Sequence, residues 1–333
     1  MRRLFVAMIY LLAAQHAVAQ SGTSAMRAGG AYDAVLINGL TFPLHDVDQL
    51  LASGVMQLNG PQHRFAFGPS VTSEHQLAVA LRQLDLESPQ AALDLYRSAK
   101  VALPNGAAHE ITIPSGFGPA RFANQPATTT LSASLGGVSR VPYTTKPDGG
   151  LGLGLSFGNA FHGVGSSVTM SFNDLSDLAN PERISWGIVL SHYLGDGVSV
   201  ALGGENLFVK VTDGEASFYL AGSWAFSPET SAMPFKGVMT LGAGSGRFAS
   251  MTERDIFEGR TGPATTIFGD VAWEVNDKVN LMAEWNGRNL NAGVAYRMPR
   301  TGISLKLGVA DLTGYSGDGP YLTGSVGVTL ARF

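Results

Sequence analysis

The sequence predicts an antiparallel transmembrane β-barrel of about twelve strands, preceded by a small helical N-terminal region. Three observations predict it. An apolar period of two sets in near Thr129 and runs to the chain end. The alternate row along the same strands is small or polar. The tryptophans keep to the apolar row, close to strand ends.

The stretch "GGLGLGLSFG", from Gly149 to Gly158, shows the pattern most clearly. Its glycines lack the G-x-G-x-x-G spacing of a dinucleotide loop, and no phosphate-binding G-x-x-x-x-G-K-[ST] occurs in the chain. A period of two instead puts Leu151, Leu153, Leu155 and Phe157 on one face of a strand, and Gly152, Gly154, Ser156 and Gly158 on the other. Such a wall faces either the core of a soluble sandwich or lipid. The chain start bears on that choice. "MRRLFVAMIYLLAAQHAVAQ" has two arginines, an apolar run and Ala17-Val18-Ala19, the pattern of a secretory signal peptide over residues 1–19. Its apolar run is shorter than the roughly 20 residues that a spanning helix needs.

Composition agrees. Charged residues are 14% of the chain, 42 residues are glycine, and there is no cysteine, which excludes a disulfide framework and any thiolate site. A net charge of −4 gives no reason to expect nucleic acid. With no long apolar helix after the signal, strands are the remaining way to span a bilayer.

Residues 20–127 read as a periplasmic region. Helical spacing appears over 71–82, with Ser73 as a cap, and over 89–100, with Ser88 ahead of Pro89. The proline-containing stretch 104–127 reads as a linker that enters the barrel or lies beneath it. Residues 128–333 form the barrel, with strands near 129–140, 149–158, 164–173, 183–193, 197–208, 216–226, 235–247, 264–275, 279–286, 289–298, 302–312 and 320–333.

The row that is not bulky decides against the sandwich. It is dominated by Gly, Ser, Ala and Asn, which fit the inside of a closed curve, whereas a sandwich would show water a row rich in Lys, Glu and Thr. Trp186, Trp224, Trp273 and Trp285 fall on the apolar parity near strand ends, where barrels carry aromatic girdles. Isolated charges on the small row are lumen-lining candidates: Arg183, Glu205, Arg247, Asp270, Glu274, Glu284, Arg297 and Lys306. They either line a water-filled path or pair across the interior and brace a closed barrel.

On the signal sequence, the alternating strands and the chain end "GPYLTGSVGVTLARF", the sequence resembles Gram-negative outer-membrane β-barrel proteins, including those of cyanobacteria, over residues 129–333. The resemblance implies an outer-membrane location, contact with outer-membrane lipids, and recognition of the terminal Phe333 by barrel-assembly machinery. The chain departs from the family pattern in one place. Ala331, Thr329, Gly327 and Ser325, the alternate residues before Phe333, are small, which calls for a bulge near Arg332 or weakens the signal.

Chemistry in such barrels would need placed residues. His192 has leucines, not serines, two positions away, and adjacent Ser191 points to the other face; His162 has Ala160 and Val164. Asp174 and Asp177 lack a nearby histidine in sequence. No catalytic site, cofactor or metal is therefore expected. Two non-enzymatic functions compete: a narrow porin-like channel, with the 248–263 loop folding inward as a constriction, or a structural or export-accessory barrel whose residues 31–127 dock a periplasmic protein. A barrel hydrolase stands third.

Overall fold

The computed structural model describes residues 24–28, 31–37, 40–59, 64–67, 71, 74–100, 107–118, 129–161, 163–175, 180–210, 215–228, 231–260, 264–298, 301–315 and 317–333. The expected signal peptide, the cap at Ser73, and His162 and Asp177 lie outside them. The described residues fall into two compact units, divided between Tyr96 and Arg97.

The first unit is richer in strands than its sequence suggests. A three-stranded antiparallel sheet of β1 (Ser24–Ala28), β2 (Ala31–Ile37) and β3 (Leu40–Pro43) leads into α1 (Leu44–Ala52), followed by a hairpin of β4 (Met56–Asn59) and β5 (Arg64–Phe67). Strands this short hold too few alternations to stand out in sequence. The two expected helices are present as α2 (Glu74–Leu81) and α3 (Pro89–Lys100). Asp46 is buried and accepts the amides of Glu87 and Ser88 at 2.8 and 2.7 Å, which ties the turn before α3 to α1. Phe42, Leu50, Met56, Leu77 and Leu95 form its apolar interior.

The second unit is a closed barrel of twelve antiparallel strands. They are β6 (Thr130–Val138), β7 (Asp148–Gly158), β8 (Gly165–Phe172), β9 (Ile184–Gly195), β10 (Val198–Leu207) and β11 (Ser217–Phe226). The ring continues through β12 (Gly237–Gly244), β13 (Ile267–Asn276), β14 (Val279–Trp285), β15 (Leu290–Met298), β16 (Ile303–Ala310) and β17 (Tyr321–Arg332). Each coincides with an expected strand to within a few residues. Strands pair with their sequence neighbours, and β17 closes on β6. Closure leaves the ring without a free sheet edge, as hydrocarbon requires.

Parity sorts the side chains as expected. Leu190, Leu202, Leu220, Leu241, Leu307 and Leu322 stand exposed on the outside. Ser199, Ala221, Thr240, Ala272, Asn280 and Asn291 are buried on the inside. Sandwich packing would bury the leucine row instead. Trp186 and Trp273 are exposed on the outer face, and Trp224 and Trp285 half-exposed. Trp186 and Trp285 lie toward the end that carries the longer links, Trp224 and Trp273 toward the end with the short turns, so the four form two belts.

The register at the chain end resolves the C-terminal anomaly. Between Thr329 and Ala331 the pairing of β17 with β6 shifts by one, leaving Leu330 as a bulge. Ala331 then faces Leu131, an outward position, and Phe333 exchanges backbone hydrogen bonds with Thr129. Phe333 is consequently 76% exposed on the outer side. Deleting one residue from a barrel strand ordinarily inverts every side chain beyond it. Deleting Leu330 is expected to remove the bulge and leave Phe333 outward, so the variant should keep heat-dependent electrophoretic migration. Loss of that migration would show that the bulge itself is needed.

Candidate functional site

The lumen is filled on one side by a chain segment. Ala107–Gly118 starts near the short-turn end, rises toward the long-link end and returns. At its start, Asn280 donates to the Ala108 carbonyl at 2.9 Å, and His109 Nε2 lies 3.0 Å from Glu274 Oε1, with Lys236 Nζ 3.1 Å from the other oxygen. At its apex, the fully buried Glu284 accepts the amides of Ile111 (2.7 Å), Thr112 (2.9 Å) and Ile113 (3.2 Å), and the Thr112 hydroxyl at 2.5 Å. Three successive amides converging on one carboxylate form a nest, the backbone's own anion site. Asn291 supports Glu284 from the wall at 2.9 Å.

Cations hold the opposite edge of the apex. Lys306 Nζ donates to the carbonyls of Ile111 (2.5 Å) and Glu110 (3.3 Å), and Arg247 donates to Thr112 O at 2.7 Å while pairing with Glu205. On the return, Ser223 accepts the Gly116 amide at 2.8 Å and Ser199 donates to the Gly116 carbonyl at 2.9 Å. Apolar side chains fill what remains. Ile111 and Phe117 join Phe161, Tyr193, Val238 and Met282, and Ile113 joins Tyr219, Phe248 and Phe268.

Gly116 is needed for close approach. A Cβ there would lie 2.4 Å from the Ser223 nitrogen and 2.6 Å from the Ser199 oxygen, both wall backbone. Gly116→Ala should therefore undock the returning half of the segment at a cost of about 1–3 kcal/mol. Proteolysis near Phe117 reads this out; unchanged protection would contradict the packing.

The sequence-derived candidates separate into groups. Glu205, Arg247, Glu274, Glu284 and Lys306 meet the segment directly or through a partner. Asp270 faces inward between Thr240 and Glu284 and is buried. Arg297, on β15, faces inward opposite Ser304 of β16. Arg183 is a correction: it sits in the Pro181–Arg183 turn before β9, pairs with Asp174 and lies at the rim. Strand parity alone does not show that the strand begins only at Ile184. The 248–263 loop turns inward at its root, where Phe248 is fully buried in one cluster with Ile113, and residues 107–118 fill the lumen beside it.

Sequence reasoning missed His109, Thr112, Gly116 and the wall residues Asn280, Asn291, Ser199 and Ser223. One signal was available: "ITIPSGFG" carries more apolar residues than a solvated linker needs.

Burial differs between the two sides of the lumen. Inward residues of β10 to β14 are covered by the segment, whereas Ser132, Ser134, Ser167, Thr169, Ser171 and Ser325 on β6, β8 and β17 remain half-exposed or exposed. A cleft of about 330 Å³ opens on that side, bordered by Gly136, Gly150, Asn173 and Ser325, with Ile111 and Lys306 on the segment side.

At the long-loop end, the short helix α4 (Glu253–Phe257) carries a buried Asp255. It pairs with Arg288 of the 286–289 turn, accepts Tyr143 Oη at 2.7 Å from the 139–147 loop, and accepts the Gly317 amide at 2.7 Å from the 311–320 loop. Asp318 pairs with Arg140. Among the described residues, no group of three or more His, Asp or Glu side chains is arranged to hold a metal.

No family model matches the chain, and no curated protein matches it. Solved structures do. Outer membrane phospholipase A from Escherichia coli is similar at 14% identity and a TM-score of 0.31, over 62% of this chain and 92% of that one. The beta domain of the Bordetella autotransporter Brka is similar at 15% and 0.26, over 61% and 99%. A mutant of the Rh. blastica porin is similar at 11% and 0.27, over 61% and 99%. Values this low transfer no residue role. The closed twelve-stranded ladder, with leucines outside and small polar residues inside, gives this chain the fold of a transmembrane β-barrel of the outer-membrane kind.

Proposed function

We propose that the barrel is a narrow porin-like channel for small polar solutes, whose path runs beside the inserted segment along the serine- and glycine-lined sector of β6, β7, β8 and β17. One observation carries this reading: the inward hydroxyls of that sector keep access to solvent while the opposite wall is covered. Hydroxyls and main-chain groups solvate a passing solute without holding it, as conduction requires. The longer links suit the extracellular side and the short turns the periplasmic side of a Gram-negative outer membrane, reached after export under the N-terminal signal. Outer-membrane lipids then cover the leucine face, and the assembly machinery reads outward Phe333.

The channel reading is non-enzymatic. His192 points outward among Leu190 and Leu194 and meets the Gly163 carbonyl at 2.5 Å, away from any inward serine. Purified protein in a planar bilayer should give small, stepwise conductance. A folded barrel that gives none sinks the reading.

The filled half of the lumen favours a second reading, a structural or export-accessory barrel whose residues 31–127 dock a periplasmic protein. Co-purification of a partner that is lost when residues 31–96 are removed supports it; an unchanged set of co-purifying proteins counts against it.

A further inference from the structure

The inward charges of the barrel strands are sorted by sign. Glu205 of β10, Asp270 and Glu274 of β13 and Glu284 of β14 stand on the wall that residues 107–118 cover. Arg297 of β15, Lys306 of β16 and Arg332 of β17 stand toward the open sector. Arg332 owes its place to the bulge at Leu330. Strict alternation from Val326 and Val328 would turn it to lipid, whereas the shifted register sets it opposite Thr130, which pairs with the inward Ser156. It is exposed there, within electrostatic reach of Arg297.

Acids are absent from the strands around these cations. β6, β8, β9, β15, β16 and β17 contain neither Asp nor Glu. β7 contains one, Asp148, at the long-loop rim, where its carboxylate accepts the Gly149 amide at 2.6 Å. Charges offset one another at that rim, because Asp148 and Lys306 both border the cleft and Lys306 also meets Glu110 of the segment. The short-turn end differs. There the sector's own strands contribute Arg297 and Arg332 and no acid, while Glu274, on the covered wall, is engaged by His109 and Lys236. Asp196 and Asp277 lie in the β9–β10 and β13–β14 turns.

We infer that the solute path prefers small anions, and that Arg297 and Arg332 set this preference at its short-turn mouth. The inference rests on the channel reading and adds the class of solute to it. Guanidinium groups stay charged at every working pH, and the serine and threonine hydroxyls of β6, β8 and β17 can turn their hydrogens toward a passing anion. A cation finds the same hydroxyl oxygens but must then cross two like charges, whose field the low-dielectric wall focuses into the lumen.

The test is the reversal potential of the purified full chain in a planar bilayer across a gradient of potassium chloride. At low salt, chloride should permeate roughly threefold or more better than potassium, and the ratio should shrink as added salt screens the arginines. Arg297→Gln combined with Arg332→Gln should bring the ratio close to one with the conducting step retained, and glutamate at both positions should invert it. Folding is checked by heat-dependent migration. Should a double variant not fold, Arg332→Gln alone, at an exposed position beside the chain end, should still lower the ratio. Conductance that favours potassium or neither ion, or an anion preference that survives loss of the arginine charge, overturns the inference and leaves the channel reading standing. A folded barrel without conductance removes both.

Discussion

Glu284→Ala is expected to release residues 107–118 from the lumen while leaving the barrel folded. The carboxylate is the sole acceptor identified for three consecutive apex amides, and it is fully buried. Each buried donor left without a partner costs roughly 1–3 kcal/mol. Undocking caps that cost, because a withdrawn segment returns its amides to water. Lys306 and Arg247 cannot compensate, since both are donors themselves. The wall survives because Glu284 takes part in the ladder through its backbone, opposite Asp270 and Asn291. Glu284→Gln is the intermediate case: its amide oxygen keeps one acceptor, but its NH2 group faces donors. Limited proteolysis should cut the alanine variant within 107–118 and spare the natural chain, and the conductance step should grow. An uncut, unchanged variant would mean that the apolar seats of Ile111, Ile113 and Phe117 suffice to hold the segment.

The barrel was legible because lipid and lumen impose opposite demands on neighbouring residues. Leu151, Leu153 and Leu155 alternate with Gly152 and Gly154 whatever the rest of the chain does, so the pattern survives being read locally. The segment 107–118 has no such period. Its conformation is dictated by Glu284, Lys306 and Ser223, which lie more than a hundred residues away in sequence and come within reach only after the ring closes. The charges were half legible for the same reason. Parity places Glu284 and Lys306 inside, but only the closed structure shows that they face a peptide and not water. The terminal bulge shows the converse: Ser325, Gly327 and Thr329 left a bulge near Arg332 or a weakened signal as the two readings, and the register shift at Leu330 is the bulge.

Asp255→Ala is expected to unfasten the long-loop end of the barrel. This carboxylate joins three loops, and its removal strands the Arg288 guanidinium, whose side chain is only 9% exposed, without its counter-charge. Breaking a buried pair from one side costs on the order of 3 kcal/mol or more. The loss falls on loop order, because no strand pairing passes through α4. The Thr252 capping box is lost as well, so α4 itself should fray. Burial works to raise the Asp255 carboxyl, but hydrogen bonds from Tyr143, the Gly317 amide, Thr252 and Arg288 more than offset it and hold the group below the ordinary carboxylate value. A carboxyl lowered on folding stabilises fully above its unfolded value near ~4, and that contribution drains away as pH falls below it. The natural clasp should therefore hold through mildly acidic conditions and loosen only in strong acid, whereas Asp255→Ala should be loose at every pH. Hydrogen exchange of the 139–147 and 311–320 loops at pH 7 and pH 5 separates the outcomes. Natural protein that loosens between those two values would place the fastening elsewhere, and protection retained in the alanine variant would show that Arg288 finds another partner.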